Sequence, residues 1–213
     1  MIITVAQKKG GAGKTTLLLA LAEELARRRF RVQVVDADPN ANAHTYLTAM
    51  GQAIPSHHTD GPAELKETLK AARADSEAIH LVDTPGFASE TAIWGMSYAD
   101  VVLVPTNDSE FDVAHALETA RNAADLHETQ GRAPNVHMVF TRVDPRTVLS
   151  RFAREKIDAE GIPVFARRLS TRQAFKEALS GMGMPTSDHA GVEVAGLTDE
   201  LLDLLDLPRS VAA

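Results

Sequence analysis

Short, almost wholly apolar runs recur along the chain, separated by longer segments with helical periodicity. The runs cover residues 2–6, 32–35, 80–82, 101–104 and 136–140, with 163–165 as a sixth candidate. Runs of this kind are typical of strands that are buried on both faces of a parallel sheet.

The segments between these runs carry the spacing of amphipathic helices. They cover residues 14–29, 62–74, 89–98, 111–130, 147–160, 171–179 and 192–205, whereas 52–61 and 181–191 have the composition of loops. Alternating strands and helices indicate right-handed crossovers. The prediction is an α/β fold: a doubly wound, mostly parallel sheet with helices on both faces. At 213 residues, one domain over 1–213 is expected.

Composition limits the kinds of site that the chain can contain and does not change the predicted fold class. Hydrophobic residues make up 44% of the chain and charged residues 24%, as in ordinary globular proteins. There is no cysteine, which excludes disulfides and thiolate-held metal or iron–sulfur centres. No apolar run approaches the roughly 20 residues of a membrane span, and a signal peptide is not evident. We expect a cytoplasmic protein without membrane contact.

A glycine-rich segment follows the first strand and opens the first helix. It reads Lys9-Gly10-Gly11-Ala12-Gly13-Lys14-Thr15-Thr16. Glycines allow backbone N–H groups to turn around phosphate oxygens, and the helix N-terminus adds partial positive charge. Lys14 is placed to reach the β- and γ-phosphates and Thr15 to ligate Mg²⁺. The segment predicts a site for a nucleoside triphosphate and Mg²⁺.

The spacing of this loop departs from the general phosphate-loop pattern, because Lys8 stands where that pattern has its first glycine. The run K-G-G-x-G-K-T-T instead resembles the deviant Walker A motif of the ParA and MinD ATPases, a class of P-loop NTPases. The resemblance implies an ATP-dependent homodimer in which Lys9 reaches the other subunit's nucleotide. A second cation there would stabilise charge during phosphoryl transfer.

Two aspartates follow the second strand, in the sequence Asp36-Ala37-Asp38-Pro39-Asn40. The run is similar to the D-x-D-P motif of ParA proteins, with asparagine where many members have glutamine. That resemblance implies that Asp38 orients the attacking water and that Asp36 helps to hold Mg²⁺. An alternative from the residues alone is a cap for a short helix over 42–48.

The third strand delivers Asp83 to the same edge of the sheet. An apolar strand that ends in aspartate is the Walker B arrangement, in which the carboxylate holds Mg²⁺, usually through water. The Thr84-Pro85-Gly86 segment that follows resembles the switch segment of this ATPase class, whose backbone senses the γ-phosphate.

The fourth and fifth strands lead into segments with weaker signals. By resemblance, Asp108 and Phe111 lie near the nucleotide and the dimer interface. The fifth strand ends in Thr141-Arg142-Val143-Asp144, where related GTPases carry a guanine-reading N-K-x-D or T-K-x-D. Thr141 and Arg142 are therefore candidates for contact with the base. Asp144 leaves GTP open, although the other motifs favour ATP.

Charge is distributed unevenly along the chain. The formal net charge is −7, yet residues 142–176 carry nine Lys or Arg against four Asp or Glu. This part resembles the C-terminal part of small plasmid ParA proteins that lack an N-terminal DNA-reading domain, which implies nonspecific DNA binding by basic residues. The candidates are Arg146, Arg151, Arg154, Arg167, Arg168, Arg172 and Lys176. A solvated basic face is the alternative.

These resemblances imply a ParA-type partition ATPase that dimerises on ATP, binds DNA and is released when a ParB-like or other adaptor stimulates hydrolysis. Three alternatives stay open. A MinD-like membrane ATPase is disfavoured because segment 197–207 is amphipathic but acidic. An ATPase that positions another cargo differs only in its partner. A metabolic synthase of the same superfamily generally lacks the second lysine.

Overall fold

The computed structural model describes residues 1–51, 53–86, 89–144 and 147–211. Seven parallel strands form one sheet in the order β3-β2-β4-β1-β5-β6-β7. The strands are β1 (Ile2–Val5), β2 (Val32–Asp36), β3 (Ser56–His58), β4 (Ile79–Asp83), β5 (Val101–Thr106), β6 (Val136–Val143) and β7 (Leu169–Ser170). The predicted α/β fold with a parallel sheet is confirmed.

Helices cover both faces of this sheet. They are α1 (Lys14–Arg27), α2 (Asn42–Ala49), α3 (Pro62–Ala74), α4 (Glu90–Tyr98), α5 (Glu110–Thr129), α6 (Val148–Ala159), α7 (Gln173–Glu177) and α8 (His189–Leu204), and a short π-helical turn (Ala178–Met182) follows α7. Ile3 and Leu81 face the core shared with α1 and α8, whereas Ile2 and Val82 face α3. No helix in the described ranges is long and apolar enough to cross a membrane.

Two of the sequence-based assignments at the sheet edges are wrong. Segment 52–61, expected to be a loop, contains β3, in which His57 pairs with Val35 of β2. The expected strand over 163–165 makes a single bridge, from Val164 to Met138, and the edge strand lies later, at β7. Edge strands face solvent on one side, so their sequences lack the apolar run that identifies a central strand.

The helix boundaries differ in a similar way. The expected short helix over 42–48 is present as α2, but the closing helix begins at His189 instead of residue 192. Asp188 is its N-cap and accepts a hydrogen bond of 2.8 Å from the Gly191 backbone N–H. This cap lies inside the segment that was expected to be a loop, because aspartate and glycine are typical of both caps and loops.

The parallel arrangement brings the chemistry to one edge of the sheet. Strand β1 lies between β4 and β5, and the glycine loop follows it directly. Asp36 and Asp83 are paired across β2 and β4 in the register of the sheet. Ligands of open α/β sheets bind at the carboxyl ends of the strands, so the site is sought there.

Candidate nucleotide-binding site

The glycine loop forms one side of a cleft of about 750 Å³. Gly11 and Gly13 have φ angles of 79° and 86°, in the left-handed region that favours glycine. Gly13 is constrained a second time, since an added Cβ would lie 3.1 Å from Thr141 Oγ1. No side chain caps the N-terminus of α1, which begins at Lys14. The loop thus presents a positive helix end to the cleft, as an anion site requires.

Thr15 and Asp83 meet at the floor of this cleft. Thr15 Oγ1 donates a hydrogen bond of 2.7 Å to Asp83 Oδ2, whereas Asp83 Oδ1 is buried without a hydrogen-bond partner. Burial raises the pKa of Asp83 to about 7, against the opposing effect of the bond from Thr15. An unpaired buried carboxylate oxygen beside a hydroxyl fits Mg²⁺, which binds through one or two protein oxygens together with substrate phosphates.

Protein side chains alone do not make a complete metal cage here. Within the described ranges, no group of three or more His, Asp or Glu side chains is arranged to hold a metal ion. In nucleotide sites Mg²⁺ keeps several waters and phosphate oxygens as ligands besides its protein ligands.

Lys14 points toward the same place and is 7% exposed. Burial lowers its pKa, and the carboxylates of Asp83 and Asp38 counter part of that decrease. A Cβ at Gly86 would lie 3.2 Å from Lys14 Nζ and 3.2 Å from Gly10 Cα, so the switch segment packs directly on the loop. Lys14 is therefore positioned to bind phosphate oxygens, whereas a sensing role for Gly86 remains a prediction.

The two aspartates after β2 have different surroundings. Asp36 is buried, and its two oxygens accept bonds from the backbone N–H groups of Asp38 (3.1 Å) and His44 (2.9 Å). It thereby fixes the first turn of α2, as in the capping alternative. Asp38 lines the cleft, and its Oδ1 accepts from Asn40 N and Nδ2 at 2.9 and 2.8 Å. A water-orienting role for Asp38 and a metal role for Asp36 remain predictions.

Lys9 lies at the rim and forms an ion pair with Asp112 in the first turn of α5. Asp112 also bonds to Ser109, the N-cap of that helix. Burial would raise the pKa of Asp112, but hydrogen bonds with Lys9, Ser109 and Asn107 outweigh it and lower the pKa. The second lysine of the loop is held by its own chain in this structure.

A smaller cavity of about 180 Å³ continues from the loop toward β7 and α7. Thr141 Oγ1 donates to Ala12 O (2.7 Å), and Arg142 Nη1 donates to Gly11 O (2.7 Å). Both predicted base contacts therefore brace the glycine loop while lining this cavity. Asp144 lines a different groove, beside Arg167, so its position does not favour a guanine-reading role.

Sequence reasoning missed the far wall of the cleft. That wall is formed by α2 and the π-helical turn, through Tyr46, Met50, Leu179 and Gly181 among others. Glu23 of α1 holds the wall in place, since Tyr46 Oη donates to Glu23 Oε1 (2.6 Å) and Met184 N to Oε2 (3.2 Å). No local motif in the sequence marks these contacts.

The basic candidates in the described part of the chain do not form one surface. Arg167, Arg168 and Arg172 line a groove of about 840 Å³ between β7 and α8. Arg172 pairs with Glu193 at 2.6 Å, and its Nε is buried without a partner. Lys176 faces the smaller cavity.

Two further basic candidates lie on α6. Arg154 on α6 pairs with Asp158 at 2.9 Å, and Arg151 is exposed on the same helix. Arg146 lies outside the described residues. Of the six candidates that the structure describes, it therefore brings together three.

A family model matches most of the chain. Residues 3–183 match the CobQ/CobB/MinD/ParA nucleotide-binding domain. The matched region contains the glycine loop, both aspartate strands and the smaller cavity.

Individual proteins agree with this match. A protein named ParA from Rhizobium radiobacter is 30% identical over 146 residues, which cover 68% of this chain but only 65% of that protein. The maintenance of carboxysome distribution protein A of Gloeobacter kilaueensis is 30% identical over 190 residues, covering 86% of this chain and 83% of that protein. The structure of an McdA–ATP complex from Cyanothece superposes with a TM-score of 0.75 at 18% identity, covering 99% and 98% of the two chains, and supports the fold.

Proposed function

The chain belongs to the CobQ/CobB/MinD/ParA family of nucleotide-binding domains, and on that premise we propose that it is a ParA-type partition ATPase. In this proposal ATP closes a sandwich dimer, and the dimer binds DNA without reading its sequence. An adaptor protein stimulates hydrolysis and releases the dimer, so that a plasmid, a chromosome or another cargo is positioned.

The bond between Thr15 and Asp83, with the unpaired Asp83 Oδ1 beside it, is the observation that carries the ATPase assignment. These atoms lie below a helix N-terminus and next to Lys14. Together they would bind the phosphates and Mg²⁺ of ATP, and the ion would neutralise charge that develops on the phosphates. ATP is favoured over GTP, because Asp144 does not line the cavity next to the loop.

Asp38 and Lys9 would supply the remaining chemistry. Asp38 lines the cleft and has a carboxylate that can accept a hydrogen bond from water. Lys9 is bound to Asp112 of its own chain. In the proposed dimer, Lys9 exchanges this carboxylate for the partner's nucleotide, which couples hydrolysis to dimerisation because the second cation arrives from the other subunit.

The groove between β7 and α8 is the best-supported DNA contact among the basic candidates. It gathers Arg167, Arg168 and Arg172. Arginines bind phosphate oxygens without reading bases, and they displace counterions as they do so. The affinity for DNA at this groove would therefore fall steeply as the salt concentration rises.

The cargo is open within this proposal. One relative carries the name ParA and another is named for carboxysome distribution. A MinD-like membrane role is less well supported, because the closing helix α8 buries Val194, Leu197 and Leu201 in the core that it shares with α1. Its apolar face is thus occupied within the protein.

DNA binding should be measured with duplex of random sequence, in ATP, in ADP and without nucleotide, over a series of salt concentrations. We expect ATP-dependent binding that falls about 1,000-fold between 50 and 200 mM salt if roughly six phosphates are contacted. The Arg167→Ala, Arg168→Ala, Arg172→Ala triple variant should bind at least about tenfold more weakly and with a smaller salt slope.

A charge-matched control is the triple variant Arg31→Ala, Arg73→Ala, Arg121→Ala, which removes three exposed arginines outside this groove. It should bind DNA like the unmodified protein. Equal losses in both variants would mean that net charge, and not the groove, is responsible. The absence of salt-sensitive DNA binding in every nucleotide state would reject the DNA-riding part of the proposal.

A further inference from the structure

Four large apolar side chains are exposed next to each other at the nucleotide edge of the sheet. Phe111, at the start of α5, is 78% exposed, and Val148, Leu149 and Phe152 on α6 are 54%, 60% and 64% exposed. We name these four residues the α5–α6 patch. Helix α6 buries only Ala153 and Ile157, so it carries more apolar residues than its packing on the sheet requires.

Hydrogen bonds and an ion pair hold the two helices of the patch together. Ser150 Oγ and Thr147 Oγ1 donate to Asp108 Oδ2, just before α5, at 2.7 and 3.1 Å. Lys156 Nζ lies 3.4 Å from Glu110 Oε1. Val148, Phe152 and Lys156 are spaced four residues apart and share one line along α6. That line therefore runs beside the first turn of α5, where Phe111 is located.

Positive and negative residues are nearly equal in number within α6 and the first turn of α5. Of the charged residues around the patch, Glu110 pairs with Lys156 and Arg154 pairs with Asp158. Arg151 and Glu155, one of each sign, are the other charged residues on this helix. DNA or an anionic bilayer needs an excess of cations, whereas a neutral apolar patch suits a protein surface.

A second copy of the chain fits these properties. In a two-fold symmetric dimer the same surface meets itself, and a neutral apolar patch does so without like-charge repulsion. From the exposed fractions and the roughly 150–250 Å² of a large aromatic side chain, the patch offers on the order of 500 Å². A standard interface buries about 800 Å² per partner. The patch would supply more than half of such an interface.

The position of Lys9 also supports a second copy of the chain as the partner of this patch. Lys9 is bound to Asp112, the residue that follows Phe111, and lies in the glycine loop. We infer that the α5–α6 patch is buried against a second copy of this chain when nucleotide brings two protomers together. This inference rests on the proposed function, in which Lys9 acts on the partner's nucleotide, and it adds the apolar contact that holds Lys9 there.

Sedimentation velocity of the full chain with Mg²⁺ and a non-hydrolysable ATP analogue tests this inference. The Leu149→Asp, Phe152→Asp variant should weaken the dimer about 30-fold or more, since it places four carboxylates in one apolar contact. The control is Leu204→Asp, Val211→Asp, which changes residues that are 37% and 41% exposed outside the patch. It should dimerise like the unmodified protein. Binding of a fluorescent ATP analogue at low protein concentration should be equal in all three, which verifies the fold.

The outcomes separate the two proposals. If the unmodified protein dimerises with nucleotide and the patch variant does so equally well, the patch is not in the interface and this inference alone is wrong. If the unmodified protein stays monomeric in every nucleotide state, the dimeric part of the proposed function fails and the inference fails with it. Binding of phosphatidylglycerol vesicles that only the patch variant loses would overturn the inference in favour of lipid.

Discussion

Two regions at the same edge of the sheet differ in how completely a single chain buries them. The phosphate side consists of the glycine loop and α1, and the α6 side consists of α6 and the start of α5. Helix α1, behind the glycine loop, buries nine of its 14 residues, and the polar groups of the cleft floor contact each other. Helix α6 buries two of its 12 residues and leaves three large apolar side chains in solvent. In the proposed dimer, phosphate binding would be a property of the monomer, whereas a second copy of the chain would complete the α6 side.

Replacing Lys14 should have the largest effect and would test the first half of this comparison. Lys14→Ala removes a buried cation aimed at the phosphates, and charge-assisted bonds of this kind contribute up to about 3 kcal/mol. The affinity for Mg²⁺ and an ATP analogue should therefore fall roughly 100-fold in calorimetric titrations. Lys70→Ala removes an exposed lysine of α3 that pairs with Glu67, and it should change this affinity less than about threefold. Similar losses in both variants would break the comparison.

Two glycines of the loop offer a sharper test of how tightly the phosphate side is packed. Gly11 and Gly13 have similar positive φ angles, but only at Gly13 would a Cβ meet Thr141. Gly11→Ala should cost about 1 kcal/mol of unfolding free energy, and Gly13→Ala roughly 1–2 kcal/mol more. Urea unfolding measures both.

The substitution Thr141→Ala serves as the control for that pair of glycine variants. Thr141→Ala removes the closest atom, so part of the extra cost of Gly13→Ala should disappear in the double variant, while Gly11→Ala should add independently. Equal costs at the two glycines would mean that the loop is not packed against β6 in solution.

The smallest effect concerns His127 near the end of α5, which is fully buried beside α4. Its Nε2 lies 3.1 Å from Met96 O, and burial lowers its pKa. The unfolded chain takes up a proton near pH 6.5 while the folded chain does not, so stability should fall as pH decreases from about 6.5. We expect a loss on the order of 1 kcal/mol between pH 7.5 and 5.5 in urea unfolding.

His127→Gln keeps a polar side chain at this position and should flatten that slope, although it lowers stability at all pH values. An unchanged slope would assign the pH dependence to other histidines, of which His80 and His137 also have pKa values lowered by burial.

Much of the phosphate side could be predicted from the sequence, because central strands are continuous apolar runs and the glycine loop has a fixed spacing. Strands β1 and β4 were placed within about one residue for that reason. Strand β3 was missed because Ser56, His57 and His58 form a polar edge strand. The bonds that Asp36 accepts from the backbone N–H groups of Asp38 and His44 could not be predicted, because they depend on how the chain turns after β2.

The α6 side was harder to predict because its key properties depend on exposure and pairing. The sequence marks Arg154 and Arg167 equally as basic, but only the structure shows that Arg154 is paired with Asp158 while Arg167 lines a groove. The apolar residues of α6 fit a helix that packs on the sheet, and their solvent exposure has no signature in a single sequence.

The two hydrogen bonds that Glu23 accepts have a consequence for the order in which parts of the chain fold. The Glu23 carboxylate holds Tyr46, 23 positions away, and the backbone of Met184, 161 positions away. A nascent chain emerges N-terminus first, so the glycine loop is synthesised long before residue 184 can dock on α1. The glycine loop therefore exists early in synthesis, but the walled cleft around it forms only when the last quarter of the chain has arrived.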